Sequence, residues 1–306
     1  MEIVEVAEGE GLERWLAVAS AVSPRKKRTA TGLHDWRRQA EDMVWLLASD
    51  DGVDAGAGLA YVGWFSLPGV AGGDVAVLRE RRGRGIGSAL YSALSTWAAP
   101  RGARELDLHV DEDDPDSLAW AERRGFVEVG RNARMVLDLE AIEEPAVEPP
   151  PGIEIVSWAE RPELAPGIYE AAREAHPDIP GEEDVDIGSF EEWLSRDMQG
   201  SSDRPEAVFV AVAGDEVAGY AKLSLSAEPN ETAYHDLTAV RRAWRGRKIA
   251  SALKASQIAW AKREGYRRLQ TQNEERNAPI RALNARFGYV LEPGTVTMRG
   301  PLSDGS

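Results

Sequence analysis

The 306-residue sequence predicts an α+β fold built twice, because the chain repeats itself at a fixed offset and each copy mixes strand-like with helix-like stretches. A shift of 163 residues aligns Ala76-Val77 with Ala239-Val240 and Arg82-Gly83-Arg84 with Arg245-Gly246-Arg247. It also aligns Ser88-Ala89-Leu90 with Ser251-Ala252-Leu253 and Trp97-Ala98 with Trp260-Ala261. In all, 20 of 53 positions between Val75 and Val127 are identical without a gap. Two helices sharing only an amphipathic pattern would repeat apolar classes, not Arg, Gly and Trp identities. The segment 143–152, EEPAVEPPPG, joins acidic charge to four prolines and reads as a linker. The expected division is therefore a first domain 1–142, the linker 143–152 and a second domain 153–306.

Each half shows the same order of elements. Opening strands are expected at 3–6 and 153–157, then helices at 12–22 and 164–175, and second helices at 34–43 and 190–198. Strand pairs follow at 44–48 with 58–64 and at 208–213 with 217–225; Gly214-Asp215 between the latter two is a hairpin turn signal. A further strand, 74–78 or 236–240, runs into an Arg-Gly loop. Beyond that loop Ile86, Leu90, Ala93 and Trp97 recur at helical spacing, as do Ile249, Leu253, Ser256 and Trp260. Both tryptophans are expected in the core. Gly102 and Gly265 end these helices, short strands follow at 106–110 and 268–272, and a last helix ends at Gly125-Phe126 or Gly288-Tyr289.

Composition narrows the function. A net charge of −16 and a pI near 4.8 oppose generic nucleic-acid or anionic-membrane binding, since phosphates would meet a repulsive field. The lack of cysteine removes disulfides, thiolate nucleophiles and Cys-ligated metals, and four scattered histidines give no metal pattern. No basic leader and no run of about 18 apolar residues is present, so a cytoplasmic protein, monomer or homodimer, is expected.

The loop Arg82-Gly83-Arg84-Gly85-Ile86-Gly87 lies between a strand and a helix, where glycines expose N–H groups and two guanidinium groups converge. This suits a diphosphate. It is neither a dinucleotide-binding fingerprint, whose third glycine would fall on Ser88, nor a P-loop. Its spacing, Arg-x-x-Gly-x-Gly with Gly125-Phe126 downstream, resembles the GNAT superfamily of N-acetyltransferases in its tandem, two-domain form. The second copy, Arg245-Gly246-Arg247-Lys248-Ile249-Ala250, carries lysine where the middle glycine belongs. If that position needs positive φ, Lys248 strains the loop; if not, its ammonium is a further phosphate contact.

The resemblance implies, for each domain, a mixed, mostly antiparallel sheet whose central parallel strands splay apart, flanked by helices. It implies acetyl-CoA as co-substrate, held by Val75, Ala76, Val77, Arg82, Gly83, Arg84, Gly85, Ile86, Gly87 and Ser88. In the second half the corresponding residues are Thr238, Ala239, Val240, Arg245, Gly246, Arg247, Lys248, Ile249, Ala250 and Ser251, with Asn277 at the start of the last helix. The acceptor is expected to be a primary amine of a small molecule or peptide. Many members place an acidic tyrosine where this chain has Ala121 and Asn284. Asp236 and His235 are the candidate bases, and only one of the two can face the cleft, because strand side chains alternate. Asp74 and His109 are the comparable first-half positions, His109 being read as structural. The missing tyrosines leave a second class open, a catalytically silent acyl-CoA sensor or scaffold. The acidic run Glu182-Glu183-Asp184 with Asp186, and the basic stretch Pro24-Arg25-Lys26-Lys27-Arg28, are read as solvated surface, the alternatives being attraction of a cationic amine by the first and a grip on the CoA 3′-phosphate or an anionic partner by the second.

Overall fold

The computed structural model describes the chain except residues 27, 41, 64–65, 180–185, 227–230, 275–276 and 304–306, and the side chain of Glu274. Lys27, Trp64 and Glu182 to Asp184 thus lie outside the described residues. The chain forms two compact units, one comprising Met1–Asn132 with Pro293–Ser306 and the other Ala133–Glu292.

In the first unit the order is β1 Glu2–Val6, α1 Gly9–Val22, α2 Ala30–Gln39, β2 Asp42–Asp50, β3 Val53–Val62 and β4 Val70–Val77. Then come α3 Ile86–Ala98, β5 Glu105–Asp111, α4 Pro115–Glu122 and the start of β6 Val127–Asp138. The sheet order is β1-β2-β3-β4-β5, antiparallel except for the parallel pair β4/β5. Strand β2 is apolar on both faces because both are covered. Met43, Trp45 and Leu47 pack with Leu12, Trp15 and Leu33 of α1 and α2, whereas Val44, Leu46 and Ala48 pack with Ile86, Leu90 and Leu94 of α3.

The second unit repeats the plan with β7 Glu154–Ser157, α5 Ala165–Ala175, α6 Phe190–Asp197, β8 Val208–Ala213, β9 Glu216–Leu225 and β10 Thr232–Val240. It continues with α7 Ile249–Arg263, β11 Arg268–Glu274, α8 Ala278–Arg286 and the start of β12 Val290–Pro301. The order is β7-β8-β9-β10-β11-β6, with only β10/β11 parallel among the pairs whose register is defined.

The division differs from the expected one at the last strand of each half. The chain enters the second unit along β6 and returns to the first along β12, whose Thr295–Pro301 stretch pairs antiparallel with β5. Arg299 clamps Asp107 through two hydrogen bonds of 2.7 Å, and the Tyr91 hydroxyl donates to the Pro301 carbonyl at 2.5 Å. The 143–152 segment accordingly falls inside the span of the second unit. Two strands also begin earlier than their side chains suggest: β4 takes in Val70-Ala71-Gly72-Gly73 and β10 takes in Thr232 to His235. Conversely, the predicted 34–43 helix stops at Gln39, because Met43 is needed in the sheet.

A Cβ at Gly300 would stand 2.5 Å from the Phe126 ring, so this rung of β12 admits no side chain. Replacing Gly300 by valine is expected to destabilise the protein by about 2–3 kcal/mol through overpacking, measured by urea unfolding against the wild type.

Candidate functional site

In the first unit β4 and β5 are hydrogen-bonded from Val70↔Glu105 to Gly73↔Leu108 and then part, leaving Asp74 to Val77 paired only with β3. The wedge so formed opens toward the N-terminus of α3. There the first helical bond is Ala89 N–H to Gly85 O at 3.0 Å, so the amides of Ile86, Gly87 and Ser88 ahead of it have no helical acceptor. A Cβ built on Gly83 or Gly85 would meet nothing within 4 Å, so the loop face is open to an anion such as a diphosphate.

The guanidinium groups behave otherwise than the sequence suggests. Arg82 donates to Val77 O at 3.3 Å and to both oxygens of Asp114, while Arg84 reaches Asp50 at 3.4 Å. In the second loop Arg245 donates to Val240 O at 2.9 Å and to Asp178 at 2.6 Å, and Arg247 to Ala243 O at 3.3 Å. The arginine opening each loop thus ties it back to the preceding strand, while Arg84 and Arg247 each make one long bond and keep further guanidinium donors beside the backbone amides. Ser88 accepts from Arg124 at 2.6 Å.

Arg25, Lys26 and Arg28 of the basic stretch are ion-paired rather than solvated. Lys26 donates to Asp74 Oδ1 at 2.7 Å and to the His109 carbonyl at 2.8 Å, spanning the two strands one residue past their last rung. Arg28 adds a 2.8 Å bond to Asp74, and Arg25 pairs with Asp113. Burial alone would raise the Asp74 carboxyl, but Lys26 and Arg28 outweigh it and bring it down to about 2. The apex of the first wedge is therefore filled by the chain's own ammonium group. Asp114, which caps α4 through Ser117 N, is equally committed to Arg82.

In the second unit the last rung is Tyr234↔Gln270, and β10 then carries a bulge, since Asp236 and Leu237 together oppose Lys222 between His235↔Leu223 and Thr238↔Ala221. A bulge leaves one residue out of the ladder, so its amide is free to serve something else. The candidate bases separate as alternation requires. The Asp236 side chain is 46% exposed, ion-paired to Lys222 at 2.7 Å and bonded to Ser224 at 3.2 Å. Lys222 is itself buried and also holds Asp203 at 2.9 Å; desolvation would lower it, but the two carboxylates keep it protonated. Asp197 nearby is raised by burial, against the pull of Arg196. His235 faces inward, with Nδ1–H donating to Gln257 Oε1 at 3.0 Å and Nε2 accepting from the Tyr289 hydroxyl. Burial first, and then nearby Lys254, push this imidazole well below its ordinary value, so it is neutral.

Lys248 has φ +66, matching Gly85 at φ +85, so the position does require the left-handed region. Of the two readings, the strained one holds for the backbone. Its helix still starts in the same way, with Ala252 N–H to Lys248 O at 3.1 Å, leaving the amides of Ile249 to Ser251 ahead of that bond. Asn277 precedes α8 without capping it through its side chain, and Asn284 is fully buried with Nδ2 donating to Asn273 at 3.0 Å.

Residues that sequence reading passed over include Lys26 at the first apex, and Lys222, Lys254 and Gln257 in the second unit. Lys254 and Gln257 did carry a signal: they are polar on a buried helix face where the first half has Tyr91 and Leu94.

The sequence profile of the acetyltransferase (GNAT) family matches residues 9–126 and again 165–289. The chain belongs to the GNAT family. No curated protein matches it in sequence. Among solved structures, a GCN5-related N-acetyltransferase from Sphaerobacter thermophilus is 23% identical and superposes with a TM-score of 0.76, covering 99% of this chain and 97% of that one. A tandem GNAT protein from the clavulanic acid biosynthesis pathway is 21% identical with a TM-score of 0.77, covering 99% and 98%. The likeness establishes the tandem GNAT fold with its splayed parallel pairs, and family membership establishes acyl transfer as the general chemistry. Among the described residues no helix is long and apolar enough to cross a membrane.

Three outcomes follow for the GNAT loops and the first apex. Gly85→Ala is expected to destabilise by about 1 kcal/mol, whereas Lys248→Gly is expected not to lower the melting temperature, since it relieves the same strain. Because the Asp74 carboxyl sits below its unfolded value of 3.8, its contribution is present above that value and lost as pH falls toward 2. The stability gap between wild type and Asp74→Asn should shrink by about 2 kcal/mol between pH 5 and pH 2, read from denaturant midpoints.

Proposed function

We propose that the protein is an N-acetyltransferase that moves an acetyl group from acetyl-CoA to a primary amine of a small molecule or peptide by direct attack, and that the second unit turns over. The observation carrying this reading is the contrast between the two wedges. At the first apex Lys26 lies where an acceptor amine would have to stand; at the second apex a bulge frees a backbone amide beside a half-exposed carboxylate.

The chain's own residues supply the following. Amides at the start of α3 or α7 hold the diphosphate of the co-substrate. The strand ends Val75 to Val77, or Thr238 to Val240, offer backbone groups to its arm, with Asn277 at the start of α8 in reach of that side. The amide released by the β10 bulge stabilises the oxyanion formed when the amine attacks the thioester carbonyl. Asp236 attracts and orients the incoming ammonium and receives its proton directly or through water. Lys222 fixes the position of that carboxylate. His235, buried and neutral, supports the apex from behind rather than meeting the acceptor. The thioester provides the activated acyl group, so no protein nucleophile is needed in a chain without cysteine. The first unit is confined to holding the co-substrate.

Purified protein incubated with acetyl-CoA across a panel of primary amines is expected to release thiol with at least one of them. Asp236→Ala should lower kcat/KM by about tenfold or more through loss of the positioned charge, and Lys26→Ala should leave it unchanged. Acetyl-CoA binding without thiol release against any amine would instead support the silent sensor, which the residues Ala121 and Asn284 favour.

A further inference from the structure

Matching the two repeats carries five buried positions of the second unit onto counterparts in the first, and their chemistry changes. Lys254, Gln257, Asn284 and Tyr289 correspond at the offset of 163 to Tyr91, Leu94, Ala121 and Phe126, and His235, ahead of the β10 bulge, holds the register place of Gly73, since His235↔Leu223 matches Gly73↔Ala60. In the first unit Tyr91, Ala121 and Phe126 belong to one apolar core cluster, and Leu94 to another. In the second unit the polar set is drawn together: Gln257 and Tyr289 bracket His235, and the Lys254 ammonium lies 5.7 Å from the centre of the Tyr289 ring. Lys254 and Gln257, three residues apart on α7, are neighbours on one helix face.

As a purely structural device this cluster is poor. Gln257 Nε2 and Asn284 Oδ1 are buried with no partner among the described residues, and each such group costs about 1–3 kcal/mol. Lys254 is 1% exposed and forms no ion pair with any described carboxylate. The titratable groups facing it are His235 from β10 and Tyr289 beyond α8. The imidazole is held neutral, and burial raises the phenol well above its usual value. The neighbouring faces of β7, β8 and β9 present Ile155, Phe209, Ala211 and Ala221. With no counter-charge, burial brings Lys254 down to about 7. Its neighbour His235 is the first residue of β10 beyond the last rung with β11, so the cluster to which Lys254 belongs backs the closed end of the wedge.

We propose that Lys254 is the second unit's partner for the departing thiolate, the ammonium that stabilises the charge on sulfur when the acceptor displaces it. This rests on the reading that the second unit catalyses acetyl transfer. As the acceptor nitrogen bonds to the acyl carbon, the carbon–sulfur bond breaks and its electron pair goes to sulfur. The Lys254 ammonium keeps its proton and pairs with that thiolate, which leaves as such or takes a proton from solvent, and the proton lost by the acceptor passes to Asp236 and solvent. A buried amine without a carboxylate suits this step, since it carries positive charge most favourably when a thiolate is beside it. It also compensates for the acid absent at Asn284.

The test compares binding of CoA and desulfo-CoA to the intact protein by calorimetry near pH 7, with ultraviolet difference spectra of the bound thiol. The wild type is expected to favour CoA by roughly tenfold and to show a thiolate band, whereas Lys254→Met should bind both ligands equally and show none. In kcat/KM against pH, the wild type should fall above about 7 as Lys254 loses its proton, and the variant should lack that limb. Equal wild-type affinity for the two ligands with no thiolate band overturns the role of Lys254, even if the variant fails to fold, and leaves acetyl transfer standing. Failure of the wild type to bind either ligand removes the underlying reading as well.

Discussion

The organising constraint in each unit is a parallel strand pair that stops being a pair. Past Gly73↔Leu108 and Tyr234↔Gln270 the backbone groups facing the wedge have no rung to satisfy them, and buried main-chain polar groups do not stay unpaired without a partner. Everything else at the site answers that need. Loop arginines lash the strand ends, helix termini present amides, and the wedge itself invites a ligand with polar groups along an extended arm.

The two units answer it differently, and the duplication makes each a control for the other. In the first, Lys26 reaches across the parting and satisfies a carboxylate and a carbonyl at once, with Arg28 completing the ion-pair set. In the second, the strand bulges, Lys222 takes up the carboxylate from within the sheet, and polar residues replace the apolar core behind the apex. At one apex an ammonium bridges a carboxylate and a carbonyl; at the other the strand bulges and buried polar groups lie behind it.

Most of the architecture was legible because it rests on local pattern. The repeat, the α7 spacing of Ile249, Leu253 and Trp260, and the loop between strand and helix all survive in the structure. The misses have physical causes. Gly72-Gly73 shows no alternation, since close contact with Tyr61 and the β3 backbone excludes side chains there, so the start of β4 went unread. Strands β6 and β12 are each bordered by exposed valines and leucines, Val127, Val129, Val290 and Leu291, and their burial depends on partners distant in sequence. The site is less legible for the same reason: which carboxylate Arg82 and Lys26 each meet is fixed only by the folded chain.

The passage of β6 into the second unit, and of β12 back to the first, bears on biosynthesis. Thr295 to Pro301 are synthesised after the other described strands of both units, yet they are the partner of β5. The amino-terminal half must therefore remain an unfinished sheet throughout translation of its sibling. Until Thr295 to Pro301 arrive, the β5 edge lacks its antiparallel partner, and a chain interrupted before them would hold both halves with the older one still incomplete.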